Sequence, residues 1–489
     1  MLSRIIAAAL TTTILVGDMT SASAQTFEWG AASAAYQVEG SPTADNKGQS
    51  VWDVYLDDHQ LAGPGISGAA AINFYDRAQY LKDIALFKRM GLTSYRFSIS
   101  WPRIIPDGQG PVNLAAVTHY RQFIADLKAA GIRPMLTLYH WDMPASLAAK
   151  GGWENRASID WYRRYAAVVF ANFADVVDLF VLVNEPSIER DMKIAAEERL
   201  AGLKGDFSIL PAHKHIEGSL KSYNHILLAA AAAKRDFDAK GYKGQVGVSL
   251  PLSPALTGEH ASLEDKAAAR IGDGLHNRWF LDAMFKGRYP DDILKLVEAR
   301  KLKIDVEPGD AKTIGDNHFD FIGVNYYAPT FFRRPASGGD AYAAETFMPH
   351  GIDAAVNGAN RPDQFQALLM RLHDDYGDPV IYVTENGAGF TGDDELVNGA
   401  VNDVRRCRYI VEHVDAMQSA ISAGARVRGY YVWSSHDNLE WLFGYGSRFG
   451  LIHVDFDTQR RTPKLSAKIY GDIVAAGARA HTSVDVCHR

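Results

Sequence analysis

Eight short apolar runs, rich in β-branched and aromatic residues, recur along the chain: Phe27–Tyr36, Tyr95–Ser100, Pro134–His140, Leu179–Glu185, Val246–Pro251, Phe319–Tyr327, Val380–Glu385 and Gly429–Ser434. Several are apolar at successive rather than alternate positions, the pattern of a parallel strand covered on both faces. Between them lie stretches whose apolar positions recur every three or four residues: Ala78–Met90, Leu114–Ala130, Ser158–Phe173, Gly218–Lys240 and Val404–Ala423. Each predicts a helix with one buried stripe. Eight strands alternating with helices predict an α/β fold, a single closed (β/α)8 TIM barrel, rather than an open doubly wound sheet. No repeat, low-complexity tract or Pro/Ser-rich linker breaks the pattern, so residues 25–489 are expected to form one domain.

The 489 residues exceed the roughly 250 of a minimal barrel. The surplus is assigned to elaborated loops at Gly40–Ile72, Ser187–His215 and Phe332–Arg361. A parallel barrel carries its chemistry at the C-terminal ends of its strands. There the runs turn polar or aromatic: Gln37 and Glu39 after the first, His140 closing the third, Glu185 the fourth, Tyr327 the sixth, Glu385 the seventh and Trp433 the eighth.

Residues 1–24 have a different logic. Arg4 precedes an apolar run, Ile5 to Val16, and Ala22-Ser23-Ala24 supplies small residues for cleavage. That layout predicts a secretory signal peptide cut after Ala24 and an exported protein, periplasmic or secreted. The run is too short for a span, which takes roughly 20 residues, so no membrane attachment is expected after its removal. A net charge of −7 argues against a nucleic-acid or anionic-membrane partner. Aromatic content of 11%, with nine Trp, suits a site that packs flat rings against a sugar's C–H faces. Two cysteines, Cys407 and Cys487, are too few for a disulfide scaffold or a cysteine zinc site. In an oxidising compartment they either pair and pin the C-terminal tail to a late helix or stand as two thiols.

Glu185 and Glu385 each end an apolar run, in Phe180-Val181-Leu182-Val183-Asn184-Glu185-Pro186 and Val380-Ile381-Tyr382-Val383-Thr384-Glu385-Asn386-Gly387. A carboxylate at the end of a buried strand is costly unless a partner or a function compensates. Strands four and seven face each other across an eight-membered ring. Glycoside cleavage with retention uses such a pair about 5 to 5.5 Å apart, one attacking the anomeric carbon and one protonating the departing oxygen.

The chain resembles glycoside hydrolase family 1, the β-glucosidase-like retaining glycosidases. The resemblance starts at Phe27-x-Trp29-Gly30-Ala31-Ala32-x-Ala34-Ala35-Tyr36-Gln37-x-Glu39-Gly40 and continues through Tyr95-Arg96-Phe97-Ser98-Ile99-Ser100-Trp101-Pro102-Arg103. Next come Leu138-Tyr139-His140-Trp141-Asp142-Met143-Pro144, Asn184-Glu185-Pro186, Gly323-Val324-Asn325-Tyr326-Tyr327 and Thr384-Glu385-Asn386-Gly387. Trp433-Ser434, Asp437-Asn438-Leu439-Glu440-Trp441 and Arg448-Phe449-Gly450 complete it. By that resemblance Glu385 is the nucleophile and Glu185 the acid/base. Arg96 and Tyr327 would orient the nucleophile, and Asn184 would hold the sugar 2-hydroxyl. Gln37, His140, Glu440 and Trp441 would bind the other hydroxyls over a Trp433 floor, with Trp141, Asn325 and Phe449 also at the sugar. No metal or cofactor is implied.

The resemblance also separates subclasses. Glu440 would repel a phosphate, and no Lys lies between Glu440 and Gly450, so an unphosphorylated sugar is expected. Glu185 stands where the family's thioglucosidases lack a glutamate, so an O-glycosidase is expected. By the same resemblance the expected glycone is glucose or a close relative such as galactose or fucose, carried on an oligosaccharide or an aryl or alkyl group, and the sequence does not choose among them. Leu182-Val183 before Asn184 and Ser187-Ile188-Glu189-Arg190 after Pro186 depart from the family pattern, beside the leaving-group side of the site. Transfer of the glycosyl group to an acceptor other than water is the alternative reaction. A non-catalytic glycan-binding barrel is the alternative class, and retention of both glutamates argues against it.

Overall fold

The barrel strands are β1 (Glu28–Ala32), β2 (Ser94–Ser98), β3 (Arg133–Tyr139), β4 (Leu179–Asn184), β5 (Gln245–Pro251), β6 (Phe321–Tyr326), β7 (Ile381–Asn386) and β8 (Val427–Trp433). The structure is a computed structural model that describes residues 27–208, 210, 214–478 and 481–488. The expected signal peptide and its cleavage point lie outside them. The strands join in the ring order β1-β8-β7-β6-β5-β4-β3-β2, and every pairing is parallel. The closed eight-stranded barrel is the fold expected from the sequence.

Strand pleat divides the core. In β4, Leu179 and Val181 belong to one apolar cluster while Phe180 and Leu182 belong to another; in β8, Tyr431 and Trp433 separate from Tyr430 and Val432 in the same way. Period-two alternation sends one set into the barrel and the other against the helices. The inner set, which includes Met135, Phe321, Tyr382 and Tyr431, is bulky, so the facing strands must be thin. A Cβ on Gly30 would lie 2.4 Å from the Tyr431 ring, and one on Gly247 would lie 2.6 Å from that of Phe321. Glycine is required at both for this close approach. Below the rings, Arg133 pairs with Glu28 at 2.7 Å.

The outer layer comprises α1 (Arg77–Arg89), α2 (Leu114–Ala129), α3 (Ser158–Phe173), α4 (Pro186–Leu200), α5 (Ile216–Ala239), α6 (Leu263–Asp273), α7 (Trp279–Lys286), α8 (Pro362–Asp375), α9 (Val404–Ser422) and α10 (Leu465–Ala476), with the nine-residue helix Asp291–Ala299 and shorter turns between. The five helices expected from periodicity are present within two residues. Two expectations need correction. The first run does not continue as strand to Tyr36, because Ala35–Val38 forms a helical turn, with the Ala35 amide held by the Ser98 hydroxyl at 2.7 Å. The Ser187–His215 excursion is not all loop: Pro186 occupies the first turn of α4, where its fixed φ suits a helix start. The excursion after β6 folds back as a small sheet, Thr330–Arg333 against Glu345–Phe347 and Ala255–Leu256.

Cys407 on α9 is bonded to Cys487, with Cα atoms 5.8 Å apart, which settles the open question of pairing. The bond closes an interval of 80 residues. Replacing Cys487 with Ser is expected to lower unfolding stability by about 2–4 kcal/mol. Urea titration of oxidised wild type and variant measures this, and equal midpoints would contradict it.

Candidate active site

Two backbone irregularities aim the glutamates. Glu185 follows β4 with φ 46° and ψ 62°, left-handed geometry that a glutamate adopts only under strain. Its amide is held by the Ser249 carbonyl at 2.9 Å, and Pro186 then opens α4. In β7 the register with both neighbouring strands shifts beyond Val383. Such a bulge re-aims the side chains that follow, here Glu385.

Glu385 is gripped from two sides. Arg96 Nη1 on β2 donates to Oε1 at 2.6 Å, and the Tyr327 hydroxyl after β6 donates to Oε2 at 2.6 Å. Arg96 Nη2 also donates to Asn184 Oδ1 at 2.6 Å, its Nε to Thr137 Oγ1 at 3.2 Å and its Nη1 to the Thr384 carbonyl at 3.1 Å. Bonds to charged groups are worth about 1.5–3 kcal/mol each, so Glu385 has one strongly favoured position. Burial and the Glu385 charge raise the Tyr327 phenol well above its usual range, leaving it a donor.

Glu185 is held differently. Its Oε1 accepts from Asn325 Nδ2 at 2.9 Å, and the same amide reaches Asn184 Oδ1 at 3.0 Å. Asn325 is itself oriented by Thr384, whose hydroxyl donates to its Oδ1 at 2.7 Å. The carboxyl of Glu185 is pushed well above the ordinary range, first by burial and then by the charge of Glu385. The two glutamates therefore share a neighbourhood yet are held by unlike partners.

Both face one cavity of about 650 Å³, lined also by His140, Trp141, Asn325, Tyr327, Trp433, Glu440, Trp441 and Phe449. Arg96, Asn184 and Gln37 do not line it; they lie buried behind it, Asn184 touching His140 Nε2 at 3.2 Å and Gln37 touching Glu440 at 3.4 Å. Burial, then the Glu385 charge, pushes the Glu440 carboxyl up to about 8. Burial holds His140 well below its ordinary value, so the ring is neutral, with Nδ1 free of any protein partner. The carboxamide oxygen of Gln37 is likewise unpartnered. The indole nitrogen of Trp141 is occupied by the Asn184 carbonyl at 2.9 Å, and its ring packs on Trp441. Trp141 is thus a wall whose polar edge points away from any ligand.

Sequence reasoning missed a buried ionic frame beneath the cavity. Arg406 on α9 donates to the carbonyls of Ala388 (2.9 Å) and Arg448 (2.8 Å) and pairs with Asp394 and Asp403. Lys464 pairs with Asp394 and with Asp437, and Asp437 accepts from the Gly450 amide at 3.0 Å. The frame fixes the segments on both sides of Phe449 and just after Glu385. Asp437, Arg448 and Gly450 stood in recognised motifs; Arg406, Lys464, Asp394 and Asp403 are scattered charges whose meeting depends on the fold. Among the described residues, no group of three or more His, Cys, Asp or Glu is placed to hold a metal ion.

Comparison with known proteins adds a family context. A family model described as Glycosyl hydrolase family 1 matches residues 19–478. The chain is 62% identical over 449 residues to Beta-glucosidase A of Enterobacter agglomerans, covering 92% of this chain and 94% of that protein. It is 36% identical to Beta-glucosidase A of Acetivibrio thermocellus, covering 92% and 97%. Among solved structures, the β-glucosidase from Thermotoga maritima in complex with castanospermine matches with a TM-score of 0.83 at 32% identity, over 94% of this chain and 99% of that one. The family 1 β-glucosidase from Exiguobacterium antarcticum matches with a TM-score of 0.83 at 33% identity, over 93% and 99%.

The close approach of β7 and β8 yields a test. A Cβ on Gly387 would lie 1.8 Å from the Trp433 carbonyl oxygen, so neither strand end could keep its place. Gly387→Ala is expected to cost about 1–3 kcal/mol of stability, the range for overpacking. Chemical denaturation followed by tryptophan fluorescence checks it, and an unchanged midpoint would show that the contact gives way freely.

Proposed function

The chain belongs to glycosyl hydrolase family 1 and is a β-glucosidase-type enzyme, and on that premise we propose that it releases terminal β-linked glucose with retention, by double displacement. The observation that carries this is the unlike setting of two buried carboxyls on one cavity. Glu385, fixed by Arg96 and Tyr327, attacks the anomeric carbon; Glu185, its proton held by burial and by the charge beside it, gives that proton to the departing oxygen. The bond from anomeric carbon to leaving oxygen breaks as the ester to Glu385 forms. Esterification removes the Glu385 charge, the carboxyl of Glu185 becomes more acidic, and as a base it takes a proton from the attacking water.

Asn184 lies behind the cavity wall, so His140, whose Nε2 it meets at 3.2 Å, is the group that presents this side of the site to the sugar. His140 keeps Nδ1 free for another hydroxyl, Glu440 lines the same cavity, and Trp433 offers a flat ring. We also propose that the protein acts outside the cytoplasm; the leader-like residues 1–24 and the Cys407–Cys487 bond both fit an oxidising compartment.

Two measurements test the mechanism. A 2-deoxy-2-fluoro-β-glucoside with a good leaving group is expected to form a stable ester on Glu385, located by peptide mass spectrometry. A label elsewhere, or turnover that inverts the anomeric carbon, would overturn the assignment. A galactoside or fucoside cleaved tenfold better than the glucoside would overturn the choice of glucose. Second, neutralising Glu385 in Glu385→Gln is expected to lower the pKa of Glu185 by about one pH unit or more, read by carbon NMR of the carboxyl. In wild type the same group sets the alkaline limb, so kcat/KM falls as pH rises through its pKa. An unmoved Glu185 titration would break the proposed coupling.

A further inference from the structure

The cavity is larger than a single hexose needs, and its two ends differ in chemistry. The inner end holds the three glutamates, His140 and the Trp433 ring. The outer end is walled by parts of the chain that the barrel itself does not supply. Ile188 and Met192 come from α4, Phe207 from the segment after it, Phe331 and Phe347 from the small sheet after β6, and Phe443 from the turn that follows Trp441. Phe331 and Phe347 pair with ring centroids 6.0 Å apart, and Phe207 meets Phe443 edge-on at 6.4 Å. Phe443 is 47% exposed at the mouth. Aromatic surface left open at a cavity mouth signals a binding role more often than an accident of packing.

Few polar groups balance these rings. Among the described lining residues there is no Lys or Arg, and the acidic groups are the three glutamates of the inner end. His276 is kept neutral by burial, which lowers it to about 4. The hydroxyls of Ser253 and Thr330 bond each other at 2.7 Å, that of Ser208 donates to the Leu210 carbonyl at 3.1 Å, and the Asn357 amide donates to the Gly387 carbonyl at 3.3 Å, which leaves Asn357 Oδ1 and the hydroxyls of Thr346 and Ser447 as the polar groups set against this apolar wall. A second sugar entering here would lose water from several hydroxyls and find few partners, a net cost. An apolar group would gain about fourfold in binding for each methylene it buries.

We propose that the leaving group this cavity selects is an extended apolar aglycone, aromatic or alkyl, rather than a second sugar. This rests on the β-glucosidase activity proposed above and adds the identity of the group on the far side of the scissile bond. Helix α4 carries the selection. It departs from the family pattern directly after Pro186, and it contributes Ile188 and Met192 where a polar wall would favour oligosaccharides.

A series of n-alkyl β-glucosides from methyl to octyl, all below micellar concentration, tests the proposal. The leaving alcohols differ little in acidity, so changes in kcat/KM report contact with the outer wall. A rise of about a hundredfold from methyl to octyl is expected, well inside the limit set by seven buried methylenes. Octyl glucoside is also expected to exceed cellobiose by at least tenfold. Phe347→Ser and Met192→Ser should each shrink the octyl-to-methyl ratio about fivefold or more. Thermal melts establish that each variant is folded, and Phe347, on the peripheral small sheet, can be changed without touching the barrel. A flat alkyl series, equal or better use of cellobiose, or variants that lower methyl and octyl rates alike would overturn the apolar selection and leave the glucosidase standing. Failure to release glucose from any alkyl or aryl glucoside or from cellobiose would overturn both.

Discussion

One guanidinium organises this molecule. Arg96 projects from β2 and bonds Thr137 on β3, Asn184 on β4 and both Thr384 and Glu385 on β7. A buried ion pair is a weak source of net stability, because desolvation offsets most of its attraction. Its value lies in geometry: five fixed N–H directions leave little choice for the groups that accept them. Remove that cation and the Glu385 carboxyl loses its aim. The positions of Asn184 and Asn325, and through Asn325 that of Glu185, follow from the order it imposes.

The asymmetry between the glutamates follows from that placement. Arg96 reaches Glu385 and Asn184 but not Glu185, which receives only a neutral amide from Asn325. One carboxyl therefore sits next to the fixed positive charge and the other next to the resulting negative one. Left-handed backbone at Glu185 and the register shift at Glu385 are local costs that set this arrangement, and both occur at strand ends, where a barrel tolerates irregularity.

Much of this was legible before the fold was seen, for physical reasons. Continuous apolar runs marked the strands because both faces are covered, and the polar residue ending each run marked the mouth of the barrel. Glu185, Glu385, Arg96 and Tyr327 sat in motifs, and the fold brings the last three into direct contact, with Glu185 on the same cavity. Ala35–Val38 was misjudged because its apolar residues extend the first run without a break. Helix α4 was hidden among charges, several of them buried: Glu189, for example, bonds the Tyr139 hydroxyl at 2.5 Å. The outer wall of the cavity left no periodic signal at all, since Phe207, Phe331, Phe347 and Phe443 come from separate excursions. The ionic frame around Arg406 and Lys464 was invisible for the same reason: its members lie up to 70 residues apart in sequence.

That frame has a consequence for how the chain acquires activity during synthesis. Lys464 lies beyond the eighth strand, yet it ties Asp394, after Glu385, to Asp437, before Glu440. Until the chain reaches Lys464, the segments carrying Asp394 and Asp437 wait for the cation that joins them, although Arg96 can already grip Glu385. Ring closure between β1 and β8 imposes the same delay, because partners some 400 residues apart must meet. The last part of the chain therefore completes both the closed ring and the ionic frame that borders the cavity.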